Sequence, residues 1–174
     1  MIKPSTFTRP QLSPQATQQL LDRLLPLAET PPVCLWGRHG IGKTTLIKDW
    51  AAAKGWPLVM ISPAQFEEMG DLLGLPYLQE EGDRKTTVLA PPQWAPQAAG
   101  PGVLLLDDFN RADGRIIRGL MNLLLEGQLN SWRLPAGWKI VLTANPEEQE
   151  YIVTPLDEAI LGRMLHLEVT FSLD

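Results

Sequence analysis

Cysteine, histidine and tyrosine are scarce in this chain, with one, two and two residues among 174. The single Cys34 excludes an internal disulfide, and its apolar neighbours mark it as a small core residue. One cysteine and two histidines do not make a zinc site. Long apolar runs are missing too. None approaches the roughly 20 residues needed to span a bilayer, and Met1-Ile2-Lys3-Pro4 lacks the apolar core of a secretory signal. The expectation is a cytoplasmic protein with no membrane partner. Clustered Lys and Arg are also lacking: the net charge is −5 and the pI near 5.1. That speaks against a nucleic-acid partner, because counterion release needs concentrated positive charge. What remains is ordinary, 44% hydrophobic and 20% charged. The length suits one compact domain over 1–174, which should bury roughly 70% of its unfolded surface.

Proline and glycine divide the chain into alternating elements. Ser13-Pro14 offers an N-cap and a proline at the first helical position, and the leucines from Leu20 to Leu27 predict a helix to about Glu29. Thr30-Pro31-Pro32 stops it. Val33–Trp36 predicts a buried strand, and a helix follows from Lys43 to about Lys54. Leu58–Ile61 predicts a second strand and 62–69 one or two helical turns. Lys85–Leu89 reads as an edge strand. Val103–Leu106 is the most hydrophobic strand and ends in Asp107-Asp108. Arg115–Glu126 is an amphipathic helix. A small strand at 128–134, a core strand at Trp138–Ala144, a short helix at Pro155–Leu161 and a last strand at Leu165–Val169 complete the order. Alternating strands and helices predict a parallel sheet covered on both faces, a three-layer α/β fold.

Gly37-Arg38-His39-Gly40-Ile41-Gly42-Lys43-Thr44 satisfies G-x-x-x-x-G-K-[ST] in full, and each specified residue has a physical task. The glycines let the backbone curl with its N–H groups inward, forming a concave anion site. The helix after the loop adds its N-terminal partial charge. Lys43 is expected to reach the β- and γ-phosphates of ATP, and the Thr44 hydroxyl to ligate Mg²⁺. His39, Gly40, Ile41, Gly42 and Thr45 complete the predicted nucleotide-binding set with Gly37. The pattern should arise by chance in roughly one chain in a hundred of this size, and here a strand precedes it and a helix follows.

Asp107 and Asp108 stand at the C-terminal edge of a predicted parallel strand, where ligands of such sheets sit. Asp107 is the natural partner for hydrated Mg²⁺. Asp108 is placed to orient or deprotonate an attacking water. Trp50, Trp56 and Trp132 read as packing residues rather than a base-stacking platform.

Together these segments resemble the AAA+ ATPase core, and more narrowly its MoxR-like, dynein-related branch. The resemblance is carried by Trp36-Gly37 through Thr44, Asp71-Leu72-Leu73-Gly74-Leu75-Pro76, Pro91-Pro92-Gln93-Trp94-Ala95-Pro96, Leu106-Asp107-Asp108-Phe109-Asn110-Arg111-Ala112, Leu134-Pro135-Ala136-Gly137-Trp138, Thr143-Ala144-Asn145-Pro146 and Leu161-Gly162-Arg163. It implies a mainly parallel five-stranded sheet of order 5-1-4-3-2 with small hairpin insertions. It also implies an ATP hydrolase working as a hexameric ring on a protein partner. By the same resemblance Asp107 is the Walker B aspartate and Asn145 is sensor 1, which positions water against the γ-phosphate. Arg163 is the arginine finger inserted into a neighbouring subunit's site, Asn110 and Arg111 lie near the subunit interface, and 70–90 is a substrate-engaging loop.

The chain departs from the family pattern twice. Asp108 stands where Glu is usual, one methylene shorter, so slow hydrolysis is expected. The chain also stops at Asp174 after its last core strand, so the family's helical lid is expected to be absent. Two alternatives stay open: a nucleotide-dependent switch or scaffold with little turnover, and a small-molecule kinase. The arginines show no lid-like cluster of the kind a kinase uses.

Overall fold

The computed structural model describes residues 9–147 and 153–170. Its centre is a six-stranded, all-parallel sheet built from β1 (Gln11–Leu12), β2 (Val33–Trp36), β3 (Leu58–Ile61), β6 (Gly102–Leu106), β9 (Trp138–Ala144) and β10 (Leu165–Val169). Their order is β1-β10-β2-β9-β6-β3. The predicted order of five is present, with β10, β2, β9, β6 and β3 in its places. The sixth strand corrects the expected count: Gln11 and Leu12 pair in parallel with Glu168 and Val169 at the edge.

Period-two alternation sorts the core into two layers. Cys34, Trp36, Leu104, Leu106, Ile140, Leu142 and Ala144 face one side. They pack there against α4 (Gly114–Gly119), α5 (Met121–Glu126) and α6 (Glu158–Leu161). Val33, Leu35, Val103, Leu105 and Val141 face the other, against α1 (Pro14–Leu24) and α2 (Lys43–Lys54). A strand buried on both faces needs a continuous apolar run, which is why Val33–Trp36 and 102–106 are buried throughout. Cys34 is fully buried, and burial pushes its thiol up to about 12, leaving it unreactive.

Six expected elements take a different form. Helix α1 ends at Leu24 rather than near Glu29. Pro26 has no N–H to continue the ladder, and the Thr30 hydroxyl and Lys139 ammonium take the carbonyls of Leu24, Leu27 and Ala28. The helix expected over Arg115–Glu126 is two, α4 and α5, separated at Leu120. Gly119 lies so close to Leu72 and Met69 that a Cβ there would sit 2.7–2.8 Å from them.

Lys85–Leu89 is not an edge of the sheet. It belongs to β5 (Arg84–Ala90), which pairs only with β4 (Leu75–Glu81) in an exposed hairpin. The strand expected at 128–134 is a second hairpin, β7 (Gln128–Leu129) with β8 (Trp132–Arg133). The turns expected at 62–69 are a 3-10 turn at Pro63–Gln65 and the start of α3 (Met69–Leu73). The helix expected from Pro155 is the shorter α6, begun by the Asp157 side chain accepting from the Ile160 amide. Trp50 and Trp132 are buried, and Trp50 meets Trp56 edge-on at 5.2 Å, so these indoles pack as expected.

The last residue of β2 is pinned from the neighbouring strand. The Trp36 indole N–H donates to Nδ1 of His166 at 2.9 Å, and Nε2 of His166 lies 2.7 Å from the Leu161 carbonyl. Nδ1 accepts and Nε2 therefore carries the proton, the arrangement of a neutral ring. Burial lowers the His166 pKa below its ordinary 6.5; the Leu161 carbonyl opposes this and Arg9 adds to it. The unfolded ring takes its proton near 6.5 and the folded ring only at lower pH. Stability from this site is therefore complete above about 6.5 and is lost as pH falls through the window beneath it. Urea midpoints measured from pH 7.5 to 5 should fall with pH. A His166→Gln variant should show a shallower fall; an equal slope in both proteins would refute the assignment.

Candidate nucleotide-binding site

Strand register gathers the site. Trp36 pairs with Ala144, and Leu106 with Leu142. One residue further along each strand, Gly37 comes beside Asn145 and Asp107 beside Thr143. The phosphate-loop root, both acids and Asn145 thus meet at the C-terminal edge of three adjacent strands.

The loop between β2 and α2 needs glycine at two places in particular. Gly42, the N-cap of α2, has φ +92°, a conformation side chains rarely adopt. A Cβ on Gly37 would stand 3.0 Å from the Val169 carbonyl and 3.2 Å from Ile41. Lys43 opens α2 with only 5% of its surface exposed. Its ammonium donates to the carbonyls of Gly37 at 2.7 Å and Arg38 at 3.1 Å, and to Oδ1 of Asn145 at 3.0 Å. Burial holds its pKa below the ordinary lysine range, and the carboxylates of Asp108 and Asp107 oppose that shift. The charge has carbonyl and amide partners but, among the described residues, no carboxylate in direct contact, so it is poised for an added anion.

The acids are held differently. Asp107 Oδ1 accepts from the hydroxyls of Thr44 at 2.6 Å and Thr143 at 2.8 Å. Asp108 has φ +51°, the only left-handed non-glycine among the described residues, and aspartate tolerates that conformation better than most side chains. Its amide donates to the Thr143 hydroxyl at 2.8 Å, its Oδ1 accepts from Nδ2 of Asn145 at 2.9 Å, and its Oδ2 lies 3.5 Å from the Arg111 guanidinium. Asn145 therefore bridges Lys43 and Asp108 with the two ends of one amide. Its orientation follows, since only Oδ1 accepts and only Nδ2 donates.

A cleft of about 230 Å³ opens over these groups, lined by His39, Gly40, Gly42, Lys43, Thr44, Thr45, Asp107 and Asp108. Ile41 stands behind the loop, half-buried, with its methyl close to Gly37. Thr44 and Asp107 suit a hard cation, offering a hydroxyl and a carboxylate oxygen side by side. Among the described residues no group of three or more His, Cys, Asp and Glu side chains is placed to hold a metal ion. A larger groove of about 730 Å³ lies elsewhere, between α3 and the root of the β4–β5 hairpin. It has no lysine or arginine in its walls and does not suit a triphosphate.

Arg163 is not brought to this cleft. It follows α6, half-buried, and its guanidinium turns back to the Ala159 carbonyl. Asn110, expected near a subunit interface, is 1% exposed and lies inside the fold. Its side chain donates to the Asn145 carbonyl at 2.7 Å and accepts from the Asn145 amide at 3.0 Å. Two contributors escaped the sequence reading: this contact, and Thr143, fully buried beneath both acids. Strand alternation could have found Thr143, which shares a face with Asn145 two residues on.

The sequence pattern of the AAA domain (dynein-related subfamily) matches residues 32–164. The chain belongs to this AAA family. The match spans the phosphate loop, both acids, Asn145 and Arg163. A curated relative, midasin from Giardia intestinalis, is 29% identical over 147 residues, 79% of this chain but 3% of that much longer protein. Two solved structures share the fold. A candidate ATPase from Cytophaga hutchinsonii superposes with TM-score 0.58 at 18% identity, covering 89% of this chain and 46% of its own. NtrX from Brucella abortus superposes with TM-score 0.57 at 15% identity, covering 92% and 38%. This AAA chain thus spans less than half of each. No helix among its described residues is long and apolar enough to cross a membrane.

Replacing Lys43 by Ala removes the buried charge while leaving the glycine loop in place. Affinity for Mg·ATP, measured by titration calorimetry, should fall roughly 10- to 100-fold, the value of one or two charge-assisted hydrogen bonds. Unchanged affinity would show that phosphate is not held at this cleft.

Proposed function

We propose that this AAA core binds Mg·ATP in the cleft over Gly37–Thr45 and hydrolyses it, coupling turnover to remodelling of a protein partner within a ring of subunits. One observation carries the reading: the buried Lys43 ammonium, facing a glycine-lined loop, stands across from a Thr44–Asp107 pair suited to Mg²⁺. Loop amides and the N-terminus of α2 bind the β- and γ-phosphates, and Lys43 neutralises them. Thr44 and Asp107 would hold Mg²⁺, which when bound neutralises charge on the phosphate oxygens.

Asn145, fixed between Lys43 and Asp108, orients water and γ-phosphate, and Asp108 accepts the proton of the attacking water. Arg163, directed away from its own cleft, stabilises the transferring phosphoryl group in a neighbouring subunit. The β4–β5 hairpin presents Leu75, Tyr77 and Leu78 to solvent, and we assign the partner-engaging role to this exposed element.

A second reading, a nucleotide switch with little turnover, is favoured by the hold on Asp108. Both its oxygens are engaged, by Asn145 and Arg111, and its side chain is short. Steady-state turnover of wild type and Asp108→Glu, with sedimentation in Mg·ATP and without it, separates the two. Hydrolysis predicts a measurable wild-type rate that rises in Asp108→Glu, and assembly on adding Mg·ATP. A lower rate in Asp108→Glu would count against the base assignment. A chain that stays monomeric with Mg·ATP would rule out Arg163 acting between subunits.

A further inference from the structure

We infer that Asn110 is a positioning residue for Asn145: its buried carboxamide sets the rotation and height of the Asn145 side chain over the cleft, and so the protein's discrimination of triphosphate from diphosphate. The inference rests on the nucleotide-binding reading above. A carboxamide can donate to a backbone carbonyl from one end and accept from an amide of the same residue at the other. Asn110 does both, at 2.7 Å and 3.0 Å, across 35 residues of chain.

The place of this contact matters more than its strength. Asn145 is the first residue beyond β9, where no ladder partner continues to hold the backbone. Without Asn110 its N–H and C=O would be buried and unpaired, free to turn the peptide toward other acceptors. With it, the side chain is delivered between Lys43 and Asp108, and the group that must sense a γ-phosphate is fixed before nucleotide arrives.

Asn110 is itself well anchored. It sits in a 3-10 turn, Phe109–Arg111, directly after the two acids, and its own carbonyl accepts from the Thr154 amide at 2.7 Å. The Thr154 hydroxyl donates to the Ala112 carbonyl at 2.7 Å. One short turn thus grips Asn145 with a side chain and, with its main chain, the segment that leads through α6 to Arg163. The turn thus connects both acids, Asn145 and the segment that leads to Arg163.

The test measures affinity for Mg·ATPγS and for Mg·ADP in wild type, Asn110→Ala, Asn110→Asp, Asn145→Ala and Asn110→Ala/Asn145→Ala, each checked for native folding by circular dichroism. The wild type should prefer the triphosphate. Asn145→Ala should cut that preference about tenfold, the value of one charge-assisted hydrogen bond. Asn110→Ala should cut it similarly while leaving Mg·ADP affinity within about twofold, and the double variant should be no worse than Asn145→Ala. Asn110→Asp is nearly isosteric, keeps the acceptor and loses the donor; it should follow Asn110→Ala, and it serves alone should the alanine variant not fold.

A merely structural Asn110 would weaken both nucleotides together, or add its loss to that of Asn145→Ala; either result overturns the inference, as does a wild type without triphosphate preference. None of these readouts needs turnover, so absent hydrolysis would sink the ATPase reading alone. Failure of Mg·ATPγS and Mg·ADP both to bind would sink the two together.

Discussion

A buried ammonium group answered by carbonyl and amide oxygens, with no carboxylate among the described residues in contact, is the constraint on which this site is built. Lys43 is removed from water at the start of α2, and its charge is answered by two loop carbonyls and one amide oxygen. Such a charge is costly to bury unless its hydrogen bonds are complete. The two acids lie near enough to support it electrostatically yet are occupied elsewhere, Asp107 by two hydroxyls and Asp108 by Asn145 and Arg111. The loop must therefore curl toward Lys43, β9 must end where Asn145 can reach it, and β6 must stop short of it. Sheet register, glycine conformations and the placement of the acids all serve that one requirement.

Polar groups beneath the cleft form a closed circuit. Thr143 joins the side chain of Asp107 to the backbone of Asp108; Asn145 joins Asp108 to Lys43; Asn110 joins the turn after the acids to Asn145. Buried polar networks of this kind rigidify when every member is satisfied. The left-handed backbone of Asp108 persists because neighbours on both sides determine it.

Much of this was legible in the residue order. The phosphate loop could be read because glycine and lysine at fixed spacing have few other uses, and Val33–Trp36, Lys43–Lys54 and Leu58–Ile61 fall where breakers and apolar runs set them. The sheet order of five came with the family resemblance, not from the residues singly. The sixth strand escaped because two residues at a sheet edge carry no periodicity. The division of the helix at Leu120 escaped because the apolar periodicity of Ile116, Leu120, Leu123 and Leu124 runs on through it. The early end of α1 was written in Pro26 and was outweighed by the leucines around it. The contact of Asn110 with Asn145 escaped because a motif records identity and order, while burial is decided by what the rest of the chain brings against it.

The tie between Trp36 and His166 makes the cleft asymmetric. On that side the root of the loop is bolted to a neighbouring strand through an indole and a neutral imidazole, with Arg9 stacked 3.6 Å above the indole ring. On the other side the acids end β6 and are held by hydroxyl and amide contacts and by the Arg111 guanidinium. The turn that bears Asn110 continues, through the Thr154 contacts, into the polypeptide before α6. Both flanks of the cleft thus reach the chain around Arg163, one through His166 on the Leu161 carbonyl and the other through Thr154 on the turn that bears Asn110.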